Sequence, residues 1–297
     1  MIPEASFVPA HELLGEGDYY IEERTYSRVD FRLPSETCDI LRNLQVIHGV
    51  GPVTEGKLRG EGYEDIESLS PHMRWGDQAK VIVEAVERRD ARFLRGTKAS
   101  DWQVLALYSP EEMVFLDIET CGLSSARPLF LIGMMREQED GRMRLRQFFA
   151  RSYEEEVAVL AAVKRELESA GVVVTYNGLR FDMPYIRDRM AYYGACCPED
   201  HFHFDLLWTA RRLFRETLPN CRLVTVASYV LGYERGEDIP GYMIPEVYHD
   251  FVMNPRSASI RPILEHNAMD IHAMALLLAR VLRCGGSAIW TDAVWDR

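Results

Sequence analysis

The apolar positions of the second half of the chain change period in a readable order. Met113 to Leu123 carries Val114, Phe115, Leu116 and Ile118 and reads as a buried strand running into a loop. A second apolar run spans Pro128 to Met135, and Met143 to Ala150 alternates as a third strand. Asp140-Gly141 between them is a hairpin turn signal, so the spacing predicts a three-stranded antiparallel meander. Tyr153 to Ser169 then shifts to helical spacing, with Val157, Leu160, Val163 and Leu167 on one stripe and Gly171 closing it. Val172 to Tyr176 is a buried strand, His201 to Trp208 another, and Leu264 to Leu282 a long final helix. The order β-β-β-α-β followed by helices predicts an α/β domain with a mixed sheet, the parallel strands joining the meander, and not a barrel.

The first hundred residues differ. Tyr19 to Leu33 alternates loosely and predicts one or two strands. From Pro34-Ser35-Glu36 onward the pattern is helical, with Ile40, Leu41, Leu44 and Ile47 at helical spacing. Gly49-Val50-Gly51 is a tight turn, and Gly62 closes the helix that follows it. Ile82 to Lys98 reads as one amphipathic helix leading to Gly96. The expected organisation is a strand-rich segment at 1–35, a helical hairpin domain at 36–98, the α/β domain at 100–285 and a tail at 286–297.

Composition narrows the class. The chain of 297 residues is 47% apolar and 27% charged, which fits a water-soluble globular protein with a sizeable core. Its net charge of -12 argues against a general affinity for nucleic acid through a basic surface. It leaves room for a metal-dependent nuclease, whose carboxylates add to the negative count. The six cysteines form no C-x-x-C pair, so no structural zinc site is expected. The N-terminus lacks a basic start and an apolar run, and no segment is long and apolar enough to span a bilayer. A cytoplasmic location with reduced thiols and no membrane partner is the expectation.

The chemistry starts at Asp117 and Glu119. Two residues apart on a strand, they project from one face. Like charges on a core strand repel unless a cation sits between them, and hard oxygen ligands suit Mg²⁺ or Mn²⁺. An isolated D-x-E is also how strands end in water, so other ligands must be found elsewhere. Asp182 stands at a helix start with Pro184 in the first turn, where it is either a plain N-cap or a ligand at the end of a sheet strand. Asp205 is open between an acid behind the ligands, a helix cap and a ligand in a variant arrangement. His201 and His203 share a face without a third ligand, and an edge strand is preferred. Arg211, Arg212 and Arg215 read first as a solvated helix face and second as a phosphate contact. On the last helix His266 and Asp270 are four apart and share a face, whereas His272 falls off it and reads as structural.

In order, D-x-E, N-x-x-x-F-D, an acid near Asp205 and H-x-x-x-D resemble the DEDD exonucleases of the RNase H-like, DnaQ-like superfamily. The F-L-D-I-E-T-x-G-L form of Phe115 to Leu123, the stretch Leu231 to Gly241 and the His266-Asn267-x-x-Asp270 ending look more closely like the YprB-type members. The resemblance covers about 110–285 and implies an RNase H-like fold. It implies that Asp117, Glu119, Asp182 and Asp270 hold two Mg²⁺ or Mn²⁺ ions in a two-metal mechanism. It places Thr120, Gly122 and Leu123 at the terminal nucleotide, with Asn177 and Phe181 in the second motif. His266 is then the base or the residue that orients water, although its spacing is that of the tyrosine-type ending. Ile47 to Tyr63 resembles a helix-hairpin-helix module, in which Gly49 and Gly51 would meet a phosphate. Residues 36–98 hold ten Lys/Arg against eleven Asp/Glu, so no basic stripe supports that contact, and protein docking is the alternative.

The expected activity is 3′→5′ exonucleolytic hydrolysis of phosphodiester bonds, releasing nucleoside monophosphates. Single-stranded DNA is favoured over RNA as the substrate because helix-hairpin-helix modules usually meet DNA. The rivals are a structure-dependent endonuclease on the same fold and a non-catalytic nucleic-acid or protein-binding adaptor.

Overall fold

The computed structural model describes residues 6–10, 17–31, 40–236, 238–256 and 258–283. They divide into two compact units. One comprises the described residues of 1–30 and 110–280, the other those of 31–109 with 281–283.

The larger unit is built on a seven-stranded sheet. Its strands are β1 (Ser6–Ala10), β2 (Gly17–Tyr26), β3 (Met113–Thr120), β4 (Leu129–Glu137), β5 (Met143–Phe149), β6 (Val172–Thr175) and β7 (Phe202–Asp205). Their spatial order is β1-β2-β5-β4-β3-β6-β7. β3, β4 and β5 form the expected antiparallel meander, while β6 pairs parallel with β3 and β7 parallel with β6. Gly141 takes φ +77° in the β4–β5 turn, a conformation that glycine adopts without strain. β7 stands at the edge of the sheet, as the histidine pair suggested.

The helices of this unit are α5 (Glu156–Glu168), α6 (Asp182–Tyr192), α7 (Leu206–Phe214), α8 (Leu223–Leu231), α9 (Ile244–Met253) and α10 (Arg261–Arg283), whose last residues group with the other unit. Val114, Leu116 and Ile118 of β3 join a core with Ala158, Leu160 and Val163 of α5. The alternate positions of β3 face the other side, where α10 lies. There Gly133 of β4 has no room for a side chain, because a Cβ would meet Asn267 Oδ1 at 2.1 Å and Ile271 Cδ1 at 2.3 Å. A buried ion pair ties the first layer. Arg189 of α6 donates from Nε to Glu156 Oε1 at 2.7 Å, and the same carboxylate accepts from Leu129 N at 2.9 Å and Tyr193 Oη at 2.8 Å.

The smaller unit contains α1 (Pro52–Gly60), α2 (Gly76–Glu87), α3 (Ala91–Arg95) and α4 (Asp101–Leu105). Gly49 (φ +83°) and Gly62 (φ +97°) make the turns on either side of α1. No described helix is long and apolar enough to cross a membrane, and Cys121, Cys196, Cys197 and Cys221 are free thiols.

Residues 17–26 form one strand, within the one or two expected, and it belongs to the large sheet, since β2 pairs with β5 from Tyr20 to Tyr26. Three expectations change. Residues 40–47 are two 3-10 turns, Ile40–Arg42 and Leu44–Val46, where a helix was expected. The Asn43 side chain accepts from Gln45 N at 3.2 Å and so competes with the helical hydrogen bond. The helix expected over 82–98 is interrupted by Arg89 at φ +53°, after which the Asp90 carboxylate caps α3 through Phe93 N at 2.8 Å. The last strand ends at Asp205, and Leu206 to Trp208 open α7 instead of extending it. The expected helix start at 34–36 and the tail at 286–297 lie outside the described residues.

Candidate active site

β3 carries Asp117 and Glu119 on the face turned to α10. Asp117 pairs with Gly133 across the sheet, and the register shifts between Glu119 and Thr120, an irregularity that re-aims the strand end. Asp182 enters from the first turn of α6 and is buried. These three carboxylates act on one another. Burial, then the charges of Asp117 and Asp182, push the Glu119 carboxyl well above its ordinary range. Burial and the Asp117 charge do the same to Asp182, against hydrogen bonds from the backbone of Asp182 and Ile118. Burial raises Asp117 to about 6, with His266, Asn267 and Arg235 pulling the other way.

Asp117 is held by amides. Asn267, fully buried on α10, donates from Nδ2 to Asp117 Oδ2 at 2.9 Å and to the Asp117 carbonyl at 3.3 Å. Its Oδ1 accepts from Gln147 Nε2 of β5 at 2.9 Å, and that nitrogen also donates to the Leu264 carbonyl at 2.8 Å. The orientation of the Asn267 amide is therefore set by Gln147, and Asp117 receives a neutral donor that leaves its charge in place.

Asp270 and His266 lie a turn apart on α10, within a second group. Asp270 is ion-paired with the guanidinium of Arg235, which also donates to Asp238 Oδ2 at 2.9 Å. His266 Nδ1 is 2.7 Å from Asp238 Oδ1, and its Nε2 is 3.4 Å from Asp270 Oδ2. Burial raises the Asp238 carboxyl, but hydrogen bonds from Arg235 and His266 outweigh it and hold the group below its usual range. The Asp238 charge also reaches Glu119, which links the two groups. Asp238, Arg235, Asn267 and Gln147 were assigned no role from sequence. The signal was the Leu231 to Gly241 stretch and the residue after His266, which carried the resemblance but no periodicity from which a role could be argued.

The remaining positions divide. Thr120 Oγ1 donates to the Gly122 carbonyl at 2.7 Å, which also accepts from Tyr185 Oη at 3.2 Å, so both shape the loop after β3. Leu123 projects from it, 92% exposed. Asn177 takes φ +72° after β6, and Phe181 precedes α6 with its ring 5.5 Å from that of Tyr185. Asp205 accepts from Asn177 N at 2.7 Å, Leu179 N at 3.2 Å and Leu207 N at 3.0 Å. It caps α7 and fixes the turn that leads to Asp182. His203 Nε2 is 2.8 Å from Thr175 Oγ1, and His272 stacks on Tyr26 at 4.4 Å. Gly49 and Gly51 lie in the other unit, where Gly51 precedes α1 in open space.

The donor set suits a hard divalent cation: three carboxylates whose charges oppose one another, with a fourth nearby on α10. Among the described residues no three of these groups are already spaced as ligands of one ion, and Asp270 is occupied by Arg235.

A mixed sheet whose central strand β3 carries two carboxylates on the face turned to one long helix, with a third from the helix after β6, defines an RNase H-like α/β protein. The sequence matches the RNase_H superfamily over residues 114–282, more than half of its length, and the chain belongs to that superfamily. It is similar to the YprB protein of Bacillus subtilis (strain 168), with 33% identity over 174 residues. That match spans 57% of this chain and 42% of YprB, so the chain covers less than half of its relative. Among solved structures it is similar to the family B DNA polymerase of Pyrobaculum calidifontis (21% identity, TM-score 0.46, 57% of this chain and 24% of the polymerase). It is also similar to Escherichia coli exonuclease I in complex with a 5cy-dA13 oligonucleotide (16% identity, TM-score 0.33, 48% and 41%).

Proposed function

We propose that the chain is a divalent-cation-dependent nuclease that removes nucleotides from the 3′ end of single-stranded DNA, with RNA as the alternative substrate. The observation that carries this reading is the convergence of Asp117 and Glu119, on one face of β3, with Asp182, on the first turn of α6, where burial first and their charges second oppose ionisation of Glu119 and Asp182. Such a cluster is unfavourable for an empty protein and favourable for one that takes up cations. Asp117, Glu119, Asp182 and Asp270 would hold two Mg²⁺ or Mn²⁺ ions. Bound there, they would supply electrophilic stabilisation of the charge that develops on the phosphate oxygens.

The protein's own groups do the rest. Asn267 fixes the Asp117 carboxylate. Asp238 steadies His266 at Nδ1, which leaves Nε2 beside Asp270 to orient or deprotonate water. To hold a cation Asp270 would have to give up Arg235, whose guanidinium would still have Asp238 as a partner. In the other unit, the Gly49–Gly51 turn is assigned as a phosphate contact, with protein docking as the alternative. The Arg235–Asp270 pair is also what favours the second reading, a binding adaptor in which the guanidinium permanently replaces a cation.

The test is cleavage of 5′-labelled single-stranded DNA and matched RNA in Mn²⁺, Mg²⁺ and EDTA, beside Asp117→Asn. A cation-dependent ladder shortening from the 3′ end, absent in the variant, is expected. Internal cuts would assign an endonuclease, and no cleavage by folded protein would assign the adaptor.

A further inference from the structure

Beyond the carboxylates, a cavity of about 570 Å³ lies between α7, the start of α8 and the end of β6. Arg211, Arg215 and Arg222 line it, and no acidic residue does. They come from two chain segments, α7 with its C-terminal cap and the residue before α8. Among the described residues none of the three is paired with a carboxylate. In a chain of net charge -12, three unpaired guanidinium groups around one concavity are an exception to the average surface. Guanidinium forks match phosphate oxygens in pairs, and their like charges are relieved by an anion with several negative groups.

An aromatic side chain stands on the same helix. Trp208 is 47% exposed, and three and seven residues before Arg211 and Arg215 it shares their face of α7. Arg211 lies over its ring at 5.7 Å and Arg180 at 5.4 Å. Exposed indole beside unpaired arginines is the pairing that single-strand binders use, stacking for bases and charge for the backbone. The cavity also reaches Asn177, whose N–H is held by Asp205 in the turn leading to Asp182. Asn177 thus belongs both to the lining of the cavity and to the turn that leads to Asp182.

We propose that the α7–α8 cavity is a strand-holding site for single-stranded polynucleotide, with Arg211, Arg215 and Arg222 on backbone phosphates and Trp208 stacked on a base. The proposal rests on the nuclease reading and deepens it. The cavity grips the polymer away from the bond that is cut.

The test measures binding without turnover. A 5′-fluorescein-labelled oligothymidylate is titrated with the Asp117→Asn protein in EDTA over a range of NaCl concentrations, followed by fluorescence anisotropy. Adding Arg211→Gln, Arg215→Gln and Arg222→Gln together is expected to weaken binding at least about 30-fold. It should flatten the log–log salt slope by about 2, at roughly 0.7 per phosphate contact on a single strand. Trp208→Ala should weaken binding about tenfold with the slope unchanged. All four side chains are exposed, so melting temperatures should match the parent. Unchanged affinity and slope in the triple variant, or no binding by the parent, would overturn the site. So would displacement of the strand by inorganic phosphate at equal phosphate concentration, which would show a small-anion pocket only. The wild-type cleavage assay reports separately on the nuclease reading. Cleavage with arginine-independent binding removes this site alone, whereas arginine-dependent binding without cleavage removes the nuclease and keeps the site.

Discussion

Asp117 accepts from the Asn267 amide and sits near the charges of Glu119 and Asp182. Burial lifts its carboxyl to about 6, against about 3.9 in an unfolded chain. The folded form therefore holds this proton more tightly. The stabilisation is complete below about pH 4 and is lost as the pH rises through about 6. In EDTA, Asp117→Asn should accordingly melt above the parent near neutral pH, with the gap closing toward about pH 4, as thermal melts at a series of pH values would show. Mn²⁺ should raise the parent's melting temperature more near neutral pH than near pH 5, because the ion competes with protons for the same oxygens. At a hundred times Kd that stabilisation is about 2.7 kcal/mol, and in the variant it should largely vanish. Asn267→Leu removes the neutral donor but no charge. It should weaken Mn²⁺ binding by about 10–100-fold in a calorimetric titration while costing about 1–3 kcal/mol of stability. Asp117, Glu119 and Asp270 were legible because strand and helix periods place them on defined faces. Asp238 was not, because it lies in an irregular segment where spacing says nothing about direction, and only tertiary contact brings it to His266.

Two contacts between elements set the geometry that those residues need. α10 packs against β4 at Gly133, and a methyl group there would have to displace Asn267 and Ile271. Gly133→Ala should destabilise the protein by about 1–3 kcal/mol in urea unfolding and reduce cleavage as well, since Asn267 moves with the helix. Gly51→Ala, in open space at ordinary φ, is the matched control for stability. The Glu156–Arg189 pair joins α5 to α6 and caps the start of β4. Arg189→Met should cost about 3–5 kcal/mol by leaving a buried carboxylate unpaired, again read by urea unfolding. The strands of this layer were legible from alternation and from the Asp140-Gly141 turn. The break at Arg89 was not, because Glu87 to Asp90 are four charged residues that a solvated helix face would also carry, and only the positive φ at Arg89 and the Asp90 cap reveal the interruption.

At the scale of the molecule, residues 31–109 are inserted between two strands of one sheet. β2 precedes the insertion and β3 follows it, yet both belong to the larger unit. A truncation beginning at residue 110 therefore removes a strand from beside β5, together with Tyr19 and Ile21, which are 2% and 0% exposed. It should be insoluble or form soluble aggregates on size exclusion. Replacing 31–109 with a short flexible linker keeps β2 and should give a folded RNase H-like unit. The sequence showed a strand-rich start but not its destination, since no local pattern states which distant strand it will join.

That insertion also governs timing during synthesis. Tyr26 pairs with Met143, so at about 5–20 residues per second an emerging β2 waits roughly 6–25 s for its neighbour. Throughout that interval Tyr19 and Ile21 are bare hydrophobic groups on a nascent chain. The ribosome exit site, and whatever holdase attends it, is thus the place where this protein is most vulnerable to misassembly.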